Sequence, residues 1–304
     1  MKNTRDLATE ILKLKKKRKA VILAHNYQTG DVQDVADFVG DSLELSQQAA
    51  RTDASVIVFC GVHFMAETAY ILSPDKKVLL PDTHAGCPMA AMITAEQLRQ
   101  RKQELPGVAV VCYVNSTAAV KAESDICCTS ANAVKVVESL SNPEILFVPD
   151  QYLGHYVSTR AKNKKFYFWP GFCPTHMKIL PQHITKLKRE HPQAKAVVHP
   201  ECRAEVIAVA DEVMSTGGMC RYARRDDVSE MIVGTEVGII HRLKKESPGK
   251  KFYPATEQAV CPNMRLITLE KMLWSLEAMA PQVTVPEEIR LKAKAAVDKM
   301  LQVV

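Results

Sequence analysis

Three stretches decide the fold: VILAHNY at residues 21–27, VVCYVN at 110–115 and VVHPE at 197–201. Each is a short run rich in Val, Ile or Leu that stops at a polar residue, His25, Tyr113 or His199, the pattern of a strand buried on both faces. A second polar residue stands two positions on, at Tyr27, Asn115 and Glu201, and a hydroxyl stands 17 residues beyond the first, at Ser42, Ser130 and Thr216. Further along come a Lys-Lys pair leading into an apolar stretch (Lys76-Lys77, Lys164-Lys165, Lys250-Lys251) and a Cys-Pro (Cys87, Cys173, Cys261). The cysteines lie 62, 60 and 62 residues after the polar strand ends, and each is followed six residues later by Ile93, Ile179 or Ile267. Generic α/β periodicity supplies strands and helices, but not chemical positions held in register three times. The chain therefore reads as three copies of one unit.

Further apolar runs, VIVFC (56–60), ILFV (145–148) and MIVG (231–234), alternate with amphipathic helical stretches, which predicts parallel sheets covered by helices. The expected architecture is α/β, with three similar α/β/α sandwich layers in a triangular pseudo-threefold arrangement around a central site. The units fall at 1–105 with an N-terminal helix, 106–192 and 193–280, and a C-terminal helix over 281–304 packs back on the body. Equivalent strand ends then meet at the axis, the side on which α/β sheets bind ligands.

Composition removes several classes of function. With 304 residues, 47% hydrophobic and 24% charged, and no low-complexity tract, the chain is neither disordered, collagenous nor coiled coil. It has no run of eighteen apolar residues, and its basic cluster at 13–19 follows the first amphipathic stretch, the wrong order for a secretory leader. No membrane attachment is expected, and the location is read as cytoplasmic. A net charge of +6 calls for no nucleic-acid partner. Nine dispersed cysteines, an odd number, point to a reducing compartment and leave thiolate chemistry or metal binding.

Cys-Pro puts a thiol just before the first position of a helix, where free amides and the helix dipole favour thiolate. Three such thiols at one axis suit an iron-sulfur cube with one iron left open, since electron-transfer cubes take four cysteines. The open iron would act as a Lewis acid in a dehydration or elimination. Zinc is the competing reading, with His176 forming a Cys-x-x-His pair with Cys173. Cys60 and Cys112 end apolar strands and read as small buried hydrophobes, Cys127 and Cys128 belong to a turn or helix face, and Cys202 reads as structural. Ser42, Ser130 and Thr216 stand at helix starts, where they serve as caps or help bind anions. His25, Tyr27, His199 and Glu201 are candidate acids and bases, or else hydrogen-bonded strand-end residues.

These residues resemble those of the quinolinate synthases. The likeness lies in His25-Asn-Tyr27-Gln, Gly40-Asp-Ser42, the stretch from Phe59 to Glu67, Tyr113-Val-Asn115-Ser, Thr129-Ser130 and Pro149-Asp-Gln-Tyr-Leu-Gly154. It continues through Gly171-Phe-Cys173-Pro-Thr-His176, His199-Pro-Glu201-Cys, Ser215-Thr216-Gly-Gly and Cys261-Pro-Asn-Met, in order along nearly the whole chain. The resemblance implies an enzyme of de novo NAD biosynthesis that condenses iminoaspartate with dihydroxyacetone phosphate to quinolinate, releasing phosphate and water. It also implies one [4Fe-4S] cluster on Cys87, Cys173 and Cys261. Substrate would be held by His25, Ser42, Tyr113, Val114, Asn115, Ser130, His199, Pro200, Glu201 and Thr216. Tyr27 and Glu201 would move protons, with His176 on the cluster side. An L-aspartate oxidase or dehydrogenase would supply the iminoaspartate. One departure is plain: some members carry Cys-x-x-Cys-x-x-Cys near the last ligand, whereas Cys261 here is followed by Pro-Asn-Met, which argues against a local disulfide switch. Two rivals share parts of the design: another three-cysteine cluster enzyme, such as the reductase of an allylic diphosphate or a diphthamide-synthesis protein, and a zinc-stabilised binding module.

Overall fold

The computed structural model describes residues 4–303. Each opening stretch forms the first strand of a four-stranded parallel sheet. In the first unit β1 (Ala20–His25), β2 (Phe38–Gly40), β3 (Val56–Cys60) and β4 (Lys77–Leu79) are ordered β2-β1-β3-β4. The second unit repeats this with β5 (Ala109–Tyr113), β6 (Ile126–Cys128), β7 (Glu144–Val148) and β8 (Lys165–Phe168), in the order β6-β5-β7-β8. The third has β9 (Lys195–Val198), β10 (Glu212–Val213), β11 (Glu230–Gly234) and β12 (Lys251–Pro254), in the order β10-β9-β11-β12. Helices make the crossovers, as parallel pairing requires. The protein is thus three similar α/β/α layers, as the repeat predicts.

Both faces of the sheets are covered. In the third unit Ala196, Val198 and Ile232 enter one apolar cluster, while Val197, Met231 and Val233 enter another on the opposite face. That split is the period of two along a strand. Ile232 is fully buried on the central strand, so Ile232→Ala should cost about 2–5 kcal/mol. The cores of the first and second units merge into one cluster.

Two polar devices recur in all three units and explain parts of the repeat. Asp37, Asp125 and Asp211 each accept the backbone N–H of Ile22, Val110 or Ala196 at 2.8, 2.7 and 2.7 Å, pinning the return into the edge strand. The first lysine of each Lys-Lys pair caps the end of the helix that precedes the third strand of its unit, namely Ser42–Arg51, Ala133–Ser139 or Thr216–Ala223. Lys76 Nζ donates to the carbonyls of Thr52 and Ala54, Lys164 Nζ to those of Leu140 and Asn142, and Lys250 Nζ to those of Ala223 and Arg225. A cation there meets the free carbonyls and the negative end of the helix.

The chain ends tie the units together. Arg18, closing the helix Thr4–Arg18, donates to the carbonyls of Leu276 and Glu277 at the end of the helix Leu269–Ala278. The last helix, Glu287–Gln302, lies on the helix Ala118–Ala122 and β6, and Asn132 Nδ2 donates to the carbonyls of Met300 and Val303. Among the described residues no helix is long and apolar enough to cross a membrane.

Candidate active site and thiol centre

Because the three sheets share one strand order, β1, β5 and β9 deliver His25, Tyr113 and His199 to a common chamber. The residues at the +2 positions (Tyr27, Asn115, Glu201), the hydroxyls (Ser42, Ser130, Thr216), His176 and all three Cys-Pro cysteines line it too. Of the expected substrate-binding residues, Val114 and Pro200 do not: both are buried off the lining, Val114 donating its N–H to the Cys128 carbonyl at 2.9 Å.

The cysteines divide by environment. Cys87, Cys173 and Cys261 are half-buried at the chamber, whereas the other six are fully buried. Each of the three ends in a turn that opens a short 3₁₀ helix, Ala90–Met92, His176–Lys178 or Met264–Leu266. Backbone amides of that turn favour the thiolate: those of Met89 and Ala90 at Cys87, His176 at Cys173, and Asn263 and Met264 at Cys261. The sequence predicts a thiol acidified by a helix terminus, but a single 3₁₀ turn has little dipole and burial prevails. Burial pushes Cys87 up to about 12 against its amides, raises Cys173 well above the ordinary thiol value, and raises Cys261 as well. Such thiols become good ligands only beside a strong positive charge, and three soft donors, each with thiolate-favouring amides in its turn, fit an iron-sulfur group. Cys173, His176 and Glu201 form a tight ligand-type triplet, their donor atoms within 4.8 Å of one another, with Cys87 and Cys261 outside it. A single zinc ion on that triplet would leave two of the three repeated cysteines unused.

A chain of polar contacts runs along the chamber wall. Tyr27 Oη meets Thr235 Oγ1 at 2.5 Å, and Thr235 Oγ1 meets His176 Nε2 at 2.8 Å. His176 Nδ1 lies 3.0 Å from Glu201 Oε2 without hydrogen-bond alignment, and Glu201 Oε1 accepts the Tyr113 hydroxyl at 2.6 Å. Burial alone would raise the Glu201 carboxyl. The imidazoles of His176 and His199 and the Tyr113 hydroxyl outweigh it and hold the group well below the usual carboxylate range. Burial and the Glu201 charge push the Tyr27 and Tyr113 phenols well above their ordinary value, so both keep their protons.

His25 and His199 are arranged alike. The Nδ1 of each accepts the backbone N–H two residues on, of Tyr27 at 3.2 Å and of Glu201 at 3.3 Å. The neutral ring therefore carries its hydrogen on Nε2. Burial brings His25 down to about 4 despite Asp41 and Glu201, and His199 down to about 3 despite Glu201. Both are neutral donors at pH 7, and His199 Nε2 lies 3.1 Å from Ser130 Oγ.

Two of the three hydroxyls differ from simple caps by one residue, while Ser130 lies in the turn before the helix Ala133–Ser139, whose N-cap is Asn132. Asp41 and Ser215 are the N-caps, accepting the amides of Leu43 and Glu44 and of Gly218, so Ser42 and Thr216 begin their helices with side chains free of that duty. Asn26 Nδ2 donates to Thr216 Oγ1 at 2.8 Å, and Ser215 Oγ donates to Asp41 Oδ2 at 3.0 Å, joining the first and third units. Asn115 Oδ1 is buried in the wall without a protein partner. Thr235, Asp41 and Asn26 are site residues that the sequence reading missed. Thr235 follows β11 where the other units have Gly61 and Pro149, so its hydroxyl matches nothing in the repeat.

Three similar α/β units that turn neutral imidazoles, hydroxyls, two carboxylates and three thiols towards a shared chamber define a threefold-repeated α/β class with a thiol-lined site. Comparison with known proteins narrows the class. The family model described as NadA, Quinolinate synthetase A protein, matches residues 9–302. A quinolinate synthase of Dehalococcoides mccartyi (strain CBDB1) is 64% identical over 298 residues, covering 98% of each chain. Those of Geotalea uraniireducens (strain Rf4) and Methanosarcina barkeri (strain Fusaro) are 56% and 55% identical, again over 298 residues and 98% of each chain. The chain belongs to the quinolinate synthetase A family.

Proposed function

We propose that this enzyme condenses iminoaspartate with dihydroxyacetone phosphate, releasing phosphate and water, to form quinolinate for de novo NAD biosynthesis in the cytoplasm. An L-aspartate oxidase or dehydrogenase would supply the iminoaspartate. The observation that carries the reading is the meeting of three half-buried thiols with two neutral imidazole donors in one chamber. Cys87, Cys173 and Cys261 would hold one [4Fe-4S] cluster, which supplies a Lewis-acidic iron with an open position.

The remaining work falls to side chains. Nε2–H of His25 and of His199, with the hydroxyls of Ser42, Ser130 and Thr216, offers donors suited to substrate carboxylates and phosphate, and Ser42 and Thr216 stand at helix starts that favour anions. Neutral imidazoles bind such groups without adding a fixed charge beside Glu201. Asn115 Oδ1 awaits a donor, which an imine or enamine N–H supplies. Proton movement belongs to the chain from Tyr27 through Thr235 to His176: the phenol keeps its proton, and the ionised Glu201 stabilises an imidazolium at His176 if the proton passes inward. Tyr113 steadies Glu201 from the other side.

The test is turnover by anaerobically purified protein given dihydroxyacetone phosphate and iminoaspartate generated in the assay. Quinolinate should appear, and should require both substrates. Protein with an intact cluster that forms none would refute the assignment.

A further inference from the structure

Outside the chamber wall, Glu236 is fully buried and makes contacts that its repeat counterparts lack. It stands two residues after β11, where the first unit has Val62 after β3 and the second has Asp150 after β7. Its Oε1 accepts the backbone N–H of Cys261 at 3.3 Å and Arg265 Nη2 at 2.8 Å, and its Oε2 accepts the N–H of Gly238 at 2.6 Å. All three partners are donors, so the group acts as a carboxylate with Arg265 as its countercharge. Val62 has no polar side chain. Asp150 uses Oδ1 on the amides of Tyr152 and Leu153 and leaves Oδ2 without a partner. Only the Cys261 turn, among the three described, is held by a buried carboxylate paired with a half-buried arginine.

The turn that this carboxylate closes through the Gly238 N–H packs on the loop that carries Tyr27. A Cβ at Gly238 would sit 2.7 Å from the Tyr27 carbonyl oxygen and 2.8 Å from that of Gln28, so the Glu236–Gly238 turn packs directly on this loop. Gln33 Nε2 locks the contact by donating to the carbonyls of Gly238 and Gln28, both at 2.9 Å, and of Asn26 at 3.2 Å. Gln28 Nε2 in turn meets Met264 Sδ at 3.4 Å, three residues past Cys261.

We propose that Glu236 and Arg265 form a positioning pair for the third cysteine: they fix the Cys261 turn, set the charge beside it and join it to the Tyr27 loop. The inference rests on reading the three thiols as one iron-sulfur site. Its signature is a pair of opposite effects. Glu236→Gln leaves the Arg265 charge uncompensated, which favours an added electron and raises the reduction potential of the cluster. Arg265→Gln leaves the carboxylate alone and lowers it. A turn that is merely loosened has no reason to respond with opposite signs.

The experiment compares anaerobically purified wild type, E236Q, R265Q and the double variant by iron and sulfide content, reduction potential and rate of iron loss to a chelator. The potential should rise in E236Q, fall in R265Q and return towards wild type in the double variant, and E236Q should lose iron about tenfold faster. Shifts of one sign, no shifts, or iron loss at the wild-type rate would overturn the pairing. If E236Q carries no cluster, R265Q decides: a lowered potential supports the pair and an unchanged one refutes it. Wild type without iron and sulfide would instead remove the cluster reading itself, and the inference with it.

Discussion

The neutral imidazoles at the chamber make a quantitative prediction about acid. His25 and His199 are 6% and 3% exposed, and burial brings them to about 4 and about 3, against about 6.5 in the unfolded chain. Below pH 6.5 the unfolded state takes up protons that the folded state refuses, so the stability these residues leave intact at neutral pH is lost as pH falls from 6.5 towards 4 and 3. Between pH 7 and 5 that is about 2 kcal/mol for each, or about 4 kcal/mol together. Glu201 does not mask the effect. Its depressed carboxyl contributes stability above the unfolded carboxylate value, which is lost only further into acid. The groups facing these rings are Asp41, Glu201 and Arg242 around His25, and Glu201, His176 and His25 around His199. Urea unfolding of wild type and His199→Gln at pH 7 and pH 5 isolates one ring, because acid effects on the thiol centre are common to both proteins. The variant should lose about 2 kcal/mol less than wild type over that interval. Equal losses would refute a neutral His199, and with it the assignment of an Nε2–H donor to substrate.

Other side chains make separate predictions. Tyr113→Phe removes the 2.6 Å hydrogen bond to a buried carboxylate, worth about 1.5–3 kcal/mol, and should lower kcat by about 10- to 100-fold in a quinolinate assay. Thr235→Val breaks the link between Tyr27 Oη and His176 Nε2 without changing shape, and should lower kcat by about 100-fold with a smaller change in KM; wild-type kinetics would exclude the relay. Lys164→Met frees the helix-end carbonyls of Leu140 and Asn142 and should cost about 2 kcal/mol in urea unfolding while activity per folded molecule is kept.

The repeat was legible because its positions are fixed by topology: a strand end, a helix start and a Cys-Pro turn return wherever the same unit is used. The second strands β2, β6 and β10 were not, since two or three residues are too short to show alternation. The lysine pairs could be seen but not understood, as the carbonyls they cap lie more than twenty residues upstream. Thr235 and Glu236 escaped for the opposite reason to the cysteines. Their counterparts are Gly61, Pro149, Val62 and Asp150, and a search for matching chemistry passes over positions where one copy has diverged. Thiol acidity was misread because the amides are local, visible in Cys-Pro, whereas burial is produced by the other two units. Ser42 and Thr216 were placed at the right helix starts but one residue from the cap, a distinction that requires backbone angles.

The central claim is that three repeated cysteines converge to hold one cluster beside the substrate chamber. The most direct test is iron and sulfide analysis, with the visible spectrum, of anaerobically purified wild type and of Cys87→Ser, Cys173→Ser and Cys261→Ser. Wild type should contain about four iron and about four sulfide per chain, and each single change should abolish the visible absorption. A normal cluster in any one variant, or zinc in place of iron and sulfide in the wild type, would contradict it.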